Sequence, residues 1–212
     1  MPVKLNSSGG GSVTLTTPST AVDYTATFPA NTGNVVTDGA TQTLTNKTLG
    51  GPLVMGASVI TSGTAQASTS GTSIDFTGIP SWVKRVTVMF NNVSTNGTSE
   101  KLIQLIHSSG TVVTSGYRSA AARLNDVGLV EVTSTAGFLL AVTNATDDLY
   151  GSYVFTNLSG NIWTGVGSTT YTFGLVTSCG GVTIASTLTG IRITTVGGTD
   201  TFDGGSINIL YE

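Results

Sequence analysis

Charged side chains are scarce, at 9% of 212 residues, where about a quarter is usual. There is one histidine, His107, and one cysteine, Cys179. Active sites are mostly assembled from clustered His, Cys, Asp, Glu and Lys, and this inventory offers few parts for one. It marks a structural or binding protein, not an enzyme, and calls for no cofactor. A single cysteine excludes an intrachain disulfide framework. A net charge of −3 argues against nucleic acid as a partner, since that ligand selects basic surfaces. No apolar run reaches the roughly 18–20 residues that span a bilayer, so membrane insertion is not expected. The start, Met1 to Asn6, lacks an apolar signal-peptide core, so synthesis and assembly in the cytosol are expected.

What is present is glycine, 28 residues of it, among abundant Thr, Ser, Val and Ile. That is the composition of strands and tight turns. Residues 1–60 read as an extended arm: alternating segments at 13–16 and 24–28 are cut by Gly9-Gly10-Gly11, Pro18, Pro29 and Gly33. Large apolar side chains are thin there, Leu15, Tyr24, Phe28, Leu44 and Leu49 among them. They are too few to offset the roughly 1–2 kcal/mol of backbone entropy lost per ordered residue. The arm is therefore expected to order against something else. Residues 61–71 read as a linker.

From residue 72 to 212 strand-length runs alternate with turn clusters, at 83–90, 102–107, 111–117, 137–143, 149–155, 170–177, 188–196 and 206–211. Such spacing predicts an all-β chain, with an antiparallel, jelly-roll-like β-sandwich of about eight to ten strands following the arm. Only residues 119–124, with three alanines, allow a turn or two of helix. Asn96-Gly97 is the clearest hairpin signal; Cys179-Gly180-Gly181 and Gly204-Gly205 also read as turns. The expected core is Val86, Val88, Phe90, Leu102, Leu105, Leu139, Val154, Phe173, Leu175, Ile191, Ile193, Ile207 and Ile209. Lys84 would share the face of Val86 and reach out at the strand start. So few charges over so much apolar surface also suggest that copies associate with one another.

Candidate sites are sparse. His107 is either a strand-end residue or, with symmetry-related copies, one of three ligands around an ion on an axis. Asp200 with Asp203, and the pair Asp147-Asp148, are the only places where carboxylates congregate; calcium and turn chemistry both fit. Sugar binders stack ligands on aromatic rings with a polar edge. Trp163, Tyr150, Tyr153 and Tyr117 are the candidates for ligand or receptor contact, with core packing as the alternative for Trp163. Trp82 reads as core or as packing between copies.

The segment TQTLTNKTL at residues 41–49 resembles one that recurs in fibre and appendage proteins of tailed bacteriophages. Residues 4–15 and 28–33 resemble the N-terminal segments of phage virion proteins. The stretches DFTGIPSWVKRVTVMFNNVSTNGTS at 75–99 and RITTVGGTDTFDGGSINILYE at 192–212 are similar to a phage and prophage family. The resemblance implies a homotrimeric virion component, assembled in the bacterial host cytoplasm. Its N-terminal arm would anchor to other virion proteins, with Leu15, Tyr24, Phe28, Leu44 and Leu49 as candidate anchoring residues. Its sandwich would be displayed towards the host surface, a glycan being a candidate partner. A capsid decoration or head-fibre protein that stabilises the shell is the alternative. An enzyme acting on surface polysaccharide is the reading the residue inventory favours least.

Overall fold

The structure, a computed structural model, describes residues 3–6, 8–10, 12–15, 60–125, 128–140, 144–172 and 174–212. The chain divides into two units, Met1–Leu53 and Val54–Glu212. In the first, β1 (Val3–Asn6) and β2 (Ser12–Leu15) pair antiparallel, Val3 opposite Leu15. Of the candidate anchoring residues only Leu15 falls here, at the end of β2; Tyr24, Phe28, Leu44 and Leu49 lie outside the described residues.

Every regular element among the described residues of the second unit is a strand. In chain order these are β3 (Thr61–Ser62), β4 (Gln66–Ala67), β5 (Ser73–Thr77), β6 (Arg85–Thr95) and β7 (Lys101–His107). Then come β8 (Arg118–Asn125), β9 (Gly128–Ser134), β10 (Phe138–Leu139), β11 (Leu149–Ser159) and β12 (Ile162–Tyr171). The last are β13 (Gly174–Thr183), β14 (Leu188–Thr195) and β15 (Phe202–Tyr211). One sheet has nine strands, in the order β3-β15-β6-β11-β12-β13-β8-β9 with β4 also on β15; the other has four, β10-β7-β14-β5. Every pairing is antiparallel, and the two sheets are consistent with a β-sandwich.

Alternation decides what is buried. On β6, Val86, Val88 and Phe90 face the core, and the phase then slips. Asn91 and Asn92 are both exposed, Asn92 taking a positive φ of 58°, after which Val93 and Thr95 face inward again. Opposite this bulge β15 carries its own irregularity at Gly204 to Ser206, where Gly205 has a φ of 88°. A side chain at Gly205 would collide with the Asn92 carbonyl. These glycines bend a paired strand; they do not end it.

At the centre of the core Phe138 packs against Tyr117, Tyr153 and Phe155, with ring centroids 5.2, 5.7 and 5.0 Å away. Tyr153 and Phe155 each lie directly across from a glycine on β12, Gly167 and Gly165. A Cβ at Gly165 would sit 2.5 Å from the Tyr153 ring and 3.0 Å from that of Phe155, and one at Gly167 would strike Tyr153. The rings fill the space that the glycines leave, as aromatic residues do across from strand glycines. Gly167→Ala is expected to displace the Tyr153 ring and cost about 1–3 kcal/mol, the range for overpacking. The urea unfolding midpoint reads it, and an unchanged midpoint would show that the notch is slack.

Several sequence expectations are corrected. Residues 119–124 form part of β8, not a helix: Ser119 and Ala121 are buried against the core, where small side chains fit. Asn96-Gly97 does not close a hairpin, because β6 pairs with β11 and β15 while β7 belongs to the other sheet. Gly180-Gly181 lies inside β13, where a Cβ on Gly180 would come within 2.5 Å of the Arg118 carbonyl. Residues 111–117 contribute a single bridge, Val112 to Ile106, in place of a strand. Residues 61–71, expected as a linker, include β3 and β4, which pair with β15.

Ten of the expected core residues are buried, from Val86 to Ile209. Leu175 is exposed and Val154 only partly buried, both pointing away from the core. Phe173 lies outside the described residues. Lys84 is exposed just ahead of β6, its ammonium donating to Asn157 Oδ1 at 3.3 Å.

Candidate functional site

The four aromatic candidates separate cleanly. Trp163, Tyr153 and Tyr117 are buried and belong to the core cluster. The reason is strand phase: Trp163 and Tyr153 sit at inward positions of β12 and β11. Tyr117 is held by its hydroxyl, which accepts from Leu105 N at 2.8 Å and donates to Val113 O at 3.0 Å. Each of the three is 3% exposed or less. Tyr150 alone remains exposed, at 41%, its hydroxyl donating to Asn92 Oδ1 at 2.6 Å.

Burial also sets the ionisation of these phenols. Both Tyr117 and Tyr153 are pushed well above the usual tyrosine range by desolvation. The bond from Leu105 N opposes the shift in Tyr117, and the Ser178 hydroxyl opposes it in Tyr153.

The outer face of the nine-stranded sheet is the surface that the residues build most deliberately. Strand register lines its outward side chains into transverse rows across β11, β12, β13, β8 and β9. One row runs Tyr150–Thr170–Leu175–Leu124–Leu129. Another, four residues along each strand, runs Val154–Val166–Cys179–Ala120–Thr133. The leucines of the first row are 50%, 57% and 72% exposed, and Val166 in the second is 57% exposed.

The rows between and beyond are mostly Ser, Thr, Ala and Gly, with Ile162 exposed at the far end of β12; the charges among them are Arg118 on β8 and Glu131 on β9. An open trough of about 1190 Å³ lies over the Arg118–Thr164–Gly181 end, with Tyr117 and Trp163 contributing to its lining. Sequence reading did not find this face, because Leu175 and Val154 look like core residues until the pairing shows which way they point. The readable signal was Gly165-Val166-Gly167, glycines that place the flanking rings on one side and leave Val166 on the other.

The polar candidates resolve into local structure. His107 Nδ1 lies 3.0 Å from Ser109 Oγ and 3.1 Å from Ser186 Oγ. Asp200 accepts from Ser99 N at 2.8 Å, and Asn96 Oδ1 from Thr201 N at 2.9 Å, so the two loops lock together. Asp203 accepts from Ser94 Oγ at 2.5 Å. Asp200 and Asp203 thus serve separate partners. Among the described residues no group of three or more His, Cys, Asp or Glu is placed to hold a metal ion.

Asp147 is buried, its Oδ2 accepting from Asn144 N and Nδ2 at 3.2 and 3.1 Å. Lys101 is also buried, and its ammonium has no hydrogen-bond partner among the described residues. Desolvation draws the Lys101 pKa below the usual lysine value, opposed first by Asp147 and then by Asp203, Asp200 and Asp148. The well-formed ion pair lies elsewhere, where Arg192 meets Asp75 through two bonds of 2.8 and 2.7 Å.

The class this structure defines is an all-β chain of antiparallel sheets with a broad, weakly charged outer face. Compared with known proteins, the chain matches no family model, no curated protein and no solved structure. Among the described residues no helix is long and apolar enough to cross a membrane.

Proposed function

We propose that this chain is a structural bacteriophage virion protein, a homotrimeric fibre or appendage. Residues 1–60 anchor it to other virion proteins, and the C-terminal sandwich is displayed for attachment to the host surface. The virion assignment rests on the residue stretches at 4–15, 41–49, 75–99 and 192–212, which resemble phage sequences. The observation that carries a structural role is the outer sheet face, which spreads apolar and hydroxyl side chains over five strands with two charges at its margin. Such a surface suits packing against protein more than it suits catalysis.

The test uses the full chain. Sedimentation equilibrium of purified protein should give the mass of three chains, and antibody against residues 72–212 should decorate phage particles. Label on the tail supports the fibre reading; label over the shell supports the decoration protein. Particles that carry no label, from a lysate containing the protein, would overturn both.

A further inference from the structure

We infer that the outer face of β11, β12, β13, β8 and β9 is the contact surface between copies of this chain. The inference rests on the self-assembly part of the function proposed above and assigns that assembly a place. Five strands about 4.8 Å apart, each contributing about nine residues of about 3.3 Å, make a face of about 700 Å². A chain that buries this face against its neighbours in the trimer contributes about 700 Å², close to the roughly 800 Å² per partner of specific protein interfaces. Isolated exposed leucines are ordinary. Here Leu175, Leu124 and Leu129 are directly paired across three neighbouring strands and form one ridge.

Charge selects the occupant. Between Tyr150 on β11 and Ala120 on β8 the outward positions carry no acid and no base. A nucleic acid, an anionic membrane or a charged protein would find no complement there. A second copy would, because it brings the same neutral, hydroxyl-rich surface from a chain only 9% charged. Threonine and serine at the intervening rows supply hydrogen bonds that need no charged partner. The assignment also moves Tyr150, the one exposed ring of the four candidates, from receptor contact to the seam between copies.

Cys179 reports on the contact. It lies in the Val166 row at the middle of the face and is exposed in the single chain. In the full-length wild type its reaction with Ellman's reagent should slow at least tenfold as concentration rises through the assembly range, in step with the sedimenting mass. Leu124→Glu with Leu175→Glu, both at solvent-facing positions, should sediment as a single chain with unchanged circular dichroism and a fully reactive thiol.

A wild type that assembles while Cys179 stays reactive, or a double variant that still assembles, overturns the inference and leaves self-assembly standing. A wild type that remains single with a reactive thiol overturns both. A thiol that is protected while the protein sediments as a single chain means that the chain covers its own face, and that too overturns it. Should the double variant unfold, the concentration dependence of the wild-type thiol decides alone.

Discussion

Replacing Phe138 with alanine is expected to destabilise the body of the protein by about 3–5 kcal/mol, the range for truncating a buried aromatic. Phe138 is fully buried and is the one ring that touches Tyr117, Tyr153 and Phe155 together. It sits on the two-residue strand β10, paired to Ile103 of β7, so it joins the rings of the large sheet to the small one. Its loss removes both transfer energy and edge-to-face contacts worth about 0.5–1.5 kcal/mol each. The neighbours cannot close the gap, because Tyr153 and Phe155 are already seated in the glycine notch of β12. For a unit of this size about 2–4 °C of melting temperature follows each kcal/mol, so a drop of about 10 °C is expected. Trp82→Ala is the control: that ring is largely exposed, and among the described aromatic rings it touches only Tyr211, at 6.2 Å. A Phe138→Ala melting temperature within 2 °C of wild type would show that the cluster is not the anchor of the core.

The class of the fold was legible because strand grammar is local. Val86, Val88 and Phe90 alternate, and nothing in the structure disturbs that phase until Asn91 and Asn92. What was illegible depended on contacts distant in sequence. Val93 returns to the core only because a bulge at Asn92 shifts the strand by one residue, and the geometry that stabilises the bulge comes from β15. Three alanines in residues 119–124 suit a helix by propensity, yet β13 on one side and β9 on the other hold them as a strand. Tertiary pairing overrides propensity in such segments.

The candidate surface was hidden for a related reason. An apolar residue in an alternating run says that one face is apolar, not which face is covered. Leu175 and Val154 were therefore assigned to the core by their chemistry, and pairing places both outside. Trp163 went the other way. Glycines on either side of it suggested an open loop, whereas the strand that runs through them turns the indole inward between Asn157 and Val182. Glycine in this chain marks close approach as often as it marks a turn, and sequence alone does not distinguish the two uses.

Stability should rise with pH between the depressed folded pKa of Lys101 and its unfolded value of 10.5, and Lys101→Met should abolish that rise. Lys101 is buried at the start of β7 across from Thr195, and desolvation outweighs the attraction of Asp147, Asp203, Asp200 and Asp148, so its folded pKa is depressed. Between that value and the unfolded value of 10.5, the unfolded chain binds more protons than the folded one. Stability then increases with pH, by at most about 1.4 kcal/mol per unit for one proton. The same inequality fixes the neutral-pH result. A protonated Lys101 costs free energy relative to water, so an uncharged isostere should be at least as stable as wild type at pH 7. The buried tyrosines act in the opposite direction. Tyr117 and Tyr153 are raised above the ordinary 10.0, so their contribution is intact below pH 10 and is lost above it, as the unfolded phenols ionise. Urea titrations from pH 7 to 11 should show a wild-type maximum near pH 10, and a Lys101→Met profile flat to pH 10 with the same alkaline decline. A Lys101→Met protein weaker than wild type by more than about 1 kcal/mol at pH 7 would mean that Asp147 depends on the ammonium, the behaviour of a broken buried pair.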